Sequence, residues 1–538
     1  MRFAVALLVA ACSAAVPALA RQVPVEERSI DDLQALMRNG KASSVDLVRA
    51  YQKRIAAMDR RGPGLRSVIA LNPDALAQAR ALDAERRAGR VRGALHGVPV
   101  LIKDNIETAD PIPTTAGSLA LKDNLTRRDA PVVALLRARG AVILGKTNLS
   151  EWANIRSNRA MSGWSAVGGL VRNPYALDRT ACGSSSGSGA AVAASFAAAA
   201  VGTETDGSVV CPSSINGLVG LKPSIGLVSR THVVPISHSQ DTPGPMARSV
   251  RDVALLFSAM VGADPADPAT AGAATRDYTA GLSTSALSGL RIGVIRPEMT
   301  ADLAATYDRA LGVLRAGGAI LVEVKPPKTE GLGEAEFTVL KTELKADLDA
   351  YLATTPPAVT TRTLDQVIAF NRANAAVEMP FFAQETFEEA AKTQGLDDPA
   401  YKAARARSLR MAGAEGIDAM LKAAGAQMLV EPTYGPAWLS DPVYGDQYGG
   451  PSASELPAIA GYPNLTVPMG LVRGLPAGLS FIATRGGEAS VLGAGYAYEQ
   501  RAHARVAPRY LASADAGAGL DPGGAATGAG KGRAGRSR

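Results

Sequence analysis

Four short, mostly apolar runs constrain this chain most. They are Gly97-Val98-Pro99-Val100-Leu101-Ile102, Ala141–Leu144, Leu290–Ile295 and Ala319–Val324. Runs of this length that do not alternate with polar residues read as strands buried on both faces. Helix-like periods lie among them. Ser43-Ser44-Val45-Asp46 has the form of a capping box and precedes Leu47, Val48, Tyr51 and Ile55 at helical spacing. A second pattern runs from Pro131 to Arg139 and stops at Gly140. The alternation predicts an α/β fold with a mixed, mostly buried sheet. Residues 330–440 are richer in charge and helix pattern, and are expected to form a segment that caps one edge of the sheet and helps choose the substrate. With 47% apolar and 20% charged residues in 538, the chain can bury a large core, which excludes wholesale disorder. No internal repeat is present.

The termini read differently from the body. Residues 1–20, with Arg2 before an apolar stretch ending in Ala18-Leu19-Ala20, have the form of a secretory leader cleaved near Ala20. A periplasmic or secreted protein is expected; lipidation at Cys12 is a minor alternative. Residues 512–538 are Ala/Gly-rich with scattered Lys and Arg, and are expected to be a flexible tail after a single domain over 21–511. The longest apolar stretch, Ala190–Val201, is interrupted by Ser195 and is too short for a bilayer. It reads as a buried Ala-rich helix, so no membrane span is expected. The net charge of +7 is spread without a dense basic stripe, which argues against a nucleic-acid partner. The four His and three Cys show no ligand spacing, so no metal site and no cofactor are expected. Cys182 and Cys211 could pair in an oxidising compartment, but free buried thiols are the favoured reading.

The densest chemical signal is Cys182-Gly183-Ser184-Ser185-Ser186-Gly187-Ser188-Gly189, followed by Gly202-Thr203-Glu204-Thr205-Asp206-Gly207-Ser208. Each run abuts strongly apolar sequence. A Gly/Ser loop pinned in that way presents N–H groups and hydroxyls from a rigid frame, which suits an oxyanion site. A hydroxyl nucleophile also needs a base. Gly183–Gly187 formally matches a nucleophile elbow centred on Ser185, with His232, His238 or His503 as base. That match comes easily in so Ser-rich a stretch and leaves the second run unexplained. The other base is a lysine. Lys103 ends an apolar run, where burial would lower its pKa; Lys146 and Lys222 are rivals, each with a structural alternative.

Taken together these residues resemble the amidase signature family of serine hydrolases. The likeness covers about residues 30–260 and returns at Ala458–Ala483. Gly97–Asn105, Gly145–Trp152, Asn173–Tyr175, Gly183–Gly189, Gly202–Pro223 and Pro243–Val250 match family motifs in order. The forms Cys-Gly-Ser-Ser-Ser-Gly-Ser and Thr-Glu-Thr-Asp-Gly-Ser are most similar to those of bacterial peptide amidases. The resemblance implies one large α/β/α domain around a mixed sheet of about eleven strands. It implies Ser208 as acylated nucleophile, Ser184 as bridging serine after a cis peptide bond, and Lys103 as base. The N–H groups of Thr205, Asp206, Gly207 and Ser208 would hold the oxyanion. Lys146, Lys222 and the His residues then take structural roles. The implied activity is hydrolysis of primary carboxamides, C-terminal peptide amides above all, by a carbon–nitrogen hydrolase acting on linear amides. The substrate would be a small-molecule or short peptide amide. The competing readings are an esterase or aryl-acylamidase with the same triad, one component of a tRNA-linked amidotransferase, and a non-catalytic binding protein.

Overall fold

A computed structural model describes residues 23–514. The leader read at 1–20 lies outside these residues, as does the tail beyond 514. Eleven strands form a single sheet. In chain order they are β1 (Val68–Leu71), β2 (Pro99–Lys103), β3 (Val142–Thr147), β4 (Ala199–Glu204), β5 (Val219–Lys222), β6 (Thr242–Ala247), β7 (Arg291–Val294), β8 (Ile320–Glu323), β9 (Met428–Pro432), β10 (Asn464–Val472) and β11 (Leu475–Ile482). Their order across the sheet is β1-β3-β2-β4-β6-β5-β10-β11-β9-β7-β8. The sheet is mixed: β2 runs parallel to β3 and β4, and β7 parallel to β8 and β9, while the other pairs are antiparallel. The four runs supply β2, β3, β7 and β8.

Helices cover both faces of this sheet and share one apolar core with it. Ser43 caps the helix Ser44–Met58, accepting from the Asp46 N–H while Asp46 accepts from the Ser43 N–H. Leu47, Val48, Tyr51 and Ile55 are its buried stripe. Between β8 and β9 the chain is helical, with Leu332–Ala353, Leu364–Ala373 and Pro399–Ala412 as the longest pieces. Leu344, Leu348, Leu352, Leu364 and Val367 form a second apolar cluster with Leu121 and Trp152.

Two expectations need correction. The stretch Ala190–Val201 is not one helix. The helix Ser186–Ala193 ends there, Ser195 takes a positive φ of 57°, and Ala199 begins β4. Alanine is at home in either state when every position is buried, so composition could not separate them. Cys182 and Cys211 are not free thiols but a disulfide, with Cα atoms 6.1 Å apart. The bond closes a separation of 29 residues. Replacing both cysteines by serine is expected to cost about 3 kcal/mol of stability through the freed denatured chain. A lowered urea midpoint with a steeper slope, from the less compact denatured chain, would check this.

Candidate active site

The site lies at the carboxyl ends of two neighbouring parallel strands, where open α/β sheets present ligands. The register pairs Ile102 on β2 with Val201 on β4. Lys103, the last residue of β2, therefore lies level with Gly202, and its side chain reaches Thr203. Its amine is fully buried and makes three short contacts: Ser184 Oγ at 2.7 Å, Thr203 Oγ1 at 2.8 Å and Thr203 O at 3.3 Å. Asn105 Nδ2 also donates to Thr203 Oγ1, at 2.9 Å. A neutral amine has two protons and one lone pair. It can donate to both oxygens of Thr203 and accept from the Ser184 hydroxyl. Burial pushes the Lys103 pKa down from the usual 10.5 to about 7, against the opposing pull of the Asp241 and Glu204 charges.

Ser184 sits in the turn before the helix Ser186–Ala193, after a cis Gly183–Ser184 peptide bond. The second Gly/Ser run follows β4. Ser208 O accepts from the Ser185 N–H at 3.2 Å, and the Cys182–Cys211 disulfide links the two runs again. The three residues lie at graded depth: Ser208 is 8% exposed, Ser184 1% and Lys103 0%. Ser208 lines a cavity of about 310 Å³ together with Gly183, Thr205, Asp206, Leu340, Tyr434 and Trp438. The amine and Ser184 are thus buried, while Ser208 lines the cavity.

Residues 205–208 turn between β4 and the helix Val210–Ile215. Glu204 Oε2 takes the N–H groups of Val209 (2.7 Å) and Val210 (2.9 Å). The N–H groups of Thr205, Asp206, Gly207 and Ser208 find no acceptor among the described residues. Unpaired N–H groups on one turn are the kind of donors that can hold an oxyanion. Gly207 is required here: its φ is +77°, and a Cβ would stand 2.3 Å from Tyr434 Oη. The segment 236–241 braces this turn from outside. Thr205 Oγ1 donates to Asp241 Oδ1 at 2.5 Å, the Ile236 and Ser237 N–H groups hold Asp241 Oδ2, and Gln240 Nε2 donates to Thr205 O. Burial raises Asp241 to about 6 and also raises Asp206.

The rival residues lie elsewhere. Ser185 is fully buried, and its hydroxyl bridges the Thr203 carbonyl and N–H. Among the described residues its hydroxyl has no histidine partner, which speaks against the elbow reading. His96 contacts Leu82 O, His232 lies 4.0 Å from Glu107, His238 pairs with Asp347, and His503 caps a helix. Lys146 donates to Ile106 O and Thr114 Oγ1 beside Asp104; Lys222 donates to Pro223 O. Both tie down strand ends. Among the described residues, His238, Glu343 and Asp347 do bring three potential ligand atoms within 4.8 Å of one another. An imidazole ion-paired to Asp347 at 2.9 Å accounts for that arrangement. Sequence reasoning missed Thr203, Glu204, Asp241 and Tyr434 as site residues. Thr203 and Glu204 lay inside a recognised motif, whereas Asp241 and Tyr434 carried no local signal.

Residues 46–492 match the Amidase family. The chain belongs to the amidase signature family. It is 37% identical over 520 residues to a protein of Arabidopsis thaliana named as a probable amidase, spanning 94% of this chain and 96% of that one. It is also 34% identical to a glutamyl-tRNA(Gln) amidotransferase subunit of Halorhodospira halophila, over 88% of this chain and 97% of that one. Among solved structures, the native peptide amidase of Stenotrophomonas maltophilia superposes with a TM-score of 0.87 at 51% identity, covering 90% of this chain and 99% of that one. A peptide amidase in complex with the competitive inhibitor chymostatin superposes at 0.88, again at 51% identity, over 90% and 100%. This chain is thus an amide hydrolase of that family.

Proposed function

We propose that this amidase is exported and hydrolyses primary carboxamides, C-terminal peptide amides in particular, to the acid and ammonia. The observation that carries the reading is the buried Lys103 amine, 2.7 Å from Ser184 Oγ, with Ser208 lining the cavity. Neutral Lys103 takes the Ser184 proton while Ser184 takes that of Ser208. The Ser208 oxygen attacks the amide carbon, and the free N–H groups of residues 205–208 hold the developing oxyanion. The relay then returns a proton to the amide nitrogen as its bond to carbon breaks and ammonia leaves. Water, deprotonated by the same relay, releases the acid from the acyl-enzyme.

Similarity supports a peptide amide over an amidotransferase role, since identity is 51% to the peptide amidases and 34% to the amidotransferase chain. The leader pattern supports export, and so does the disulfide, because such bonds persist in oxidising compartments. Ammonia release from a peptide amide, compared with cleavage of its methyl ester and anilide, tests the reading. Turnover fastest on the amide is the expected result. An enzyme that cleaved the ester or the anilide and released no ammonia would contradict it.

A further inference from the structure

A second cavity is lined by residues next in sequence to two that line the first. It measures about 790 Å³ and is walled by Met161, Phe381, Phe382, Pro442, Val443 and Tyr444, with Arg159 and Glu385 among its polar residues. Val443 and Tyr444 are the most exposed large apolar side chains among the described residues, at 77% and 73%. Two apolar side chains so open to water, on one wall of a concave surface, mark a binding surface. The opposite side is firm. Phe381 and Phe382 pack edge-on against Trp164, with ring centres 5.6 and 5.3 Å away.

The segments that line both cavities are stapled together. Asp446 accepts from the Ser162 N–H at 3.1 Å, the Ser162 hydroxyl at 2.6 Å and Trp438 Nε1 at 2.9 Å, and its own N–H donates to Ala160 O. Gly445 permits this approach: it has a φ of +72°, and a Cβ would stand 2.6 Å from Arg159 O. Ser162, Trp438 and Asp446 line the catalytic cavity, whereas Met161 and Gly445, one residue along, line the second. On both segments the groove thus lies one residue along the chain from the catalytic cavity.

We propose that the groove is a specificity subsite that takes an apolar side chain of a peptide substrate, upstream of the residue bearing the amide. The inference rests on the peptide-amide reading above. An extended peptide advances about 3.3 Å per residue and alternates its side chains, so one upstream position fills the groove and its neighbours do not. Short acyl amides stop short of it.

The test measures kcat/KM for N-acetylated peptide amides of one to four residues, with leucine or aspartate at each upstream position in turn. Wild type, Val443→Asp and Tyr444→Ser are compared; both positions lie at the surface, so the fold is retained. Leucine is expected to be preferred over aspartate at one upstream position by roughly tenfold, chiefly through KM. That preference should fall towards unity in both variants, while the single-residue amide is cleaved unchanged. Peptide amides cleaved with no upstream preference would overturn the groove and leave the peptide-amide reading standing. Failure to cleave any peptide amide would overturn both. A dimer in solution that Val443→Asp dissociates would assign the surface to a second copy of the chain and overturn the subsite.

Discussion

Ser208→Ala is expected to leave a folded enzyme with no measurable amide turnover, a loss of about four to six orders of magnitude in kcat, as when an acylated serine is removed elsewhere. The substitution deletes one oxygen that faces the cavity. It leaves the 205–208 backbone, the Glu204 contacts to Val209 and Val210 and the disulfide in place. Thermal unfolding should therefore match wild type, and a fluorophosphonate should label wild type alone. Turnover within tenfold of wild type would show that Ser208 is not the attacking group.

Lys103→Met should be nearly as damaging, by about 10²–10⁴-fold, because it removes the proton acceptor while keeping most of the buried volume. The wild-type pH profile follows from the same amine. With its pKa lowered to about 7, Lys103 is protonated and inactive below that value and neutral above it. The kcat/KM should rise about tenfold per unit below pH 7 and level off above it. Stability carries the same signature. Between about 7 and 10.5 the unfolded chain binds a proton at Lys103 that the folded chain does not. This group therefore disfavours folding most below pH 7, and its penalty fades as pH rises towards 10.5. Lys103→Met loses the amine's hydrogen bonds at every pH, and its stability should also lose that part of the rise. A variant that keeps the whole rise between pH 7 and 10.5 would mean that the amine is held charged.

The parts of the fold legible in sequence were those where one physical signal acted alone. Burial on both faces leaves unbroken apolar runs, and these marked β2 and β3; β7 and the edge strand β8 showed as mostly apolar runs carrying one charge each, Arg291 and Glu323. Ala190–Val201 defeated the same reasoning, because a fully buried alanine stretch carries no period and Ser195 gave only a weak sign of the break before β4. The site divides in a similar way. Lys103, Ser184 and Ser208 sit in short motifs whose residue types already suggest chemistry. Asp241 supports Thr205 across 36 positions, and Asp446 reaches Ser162 across 284. Contacts that distant leave no local pattern. The Cys182–Cys211 bond was open for the same reason: spacing along the chain says nothing of distance until the sheet has brought the two Gly/Ser runs together.

The most direct measurement is the titration of Lys103 itself, followed by NMR at its Cε and Nζ in the active enzyme and in Ser208→Ala. A midpoint near 7, coincident with the acid limb of kcat/KM in the active enzyme, is the outcome expected of a neutral amine that draws a proton through Ser184. A lysine that keeps its proton to the ordinary 10.5, while turnover has already reached its plateau near neutral pH, would contradict it and require another proton acceptor.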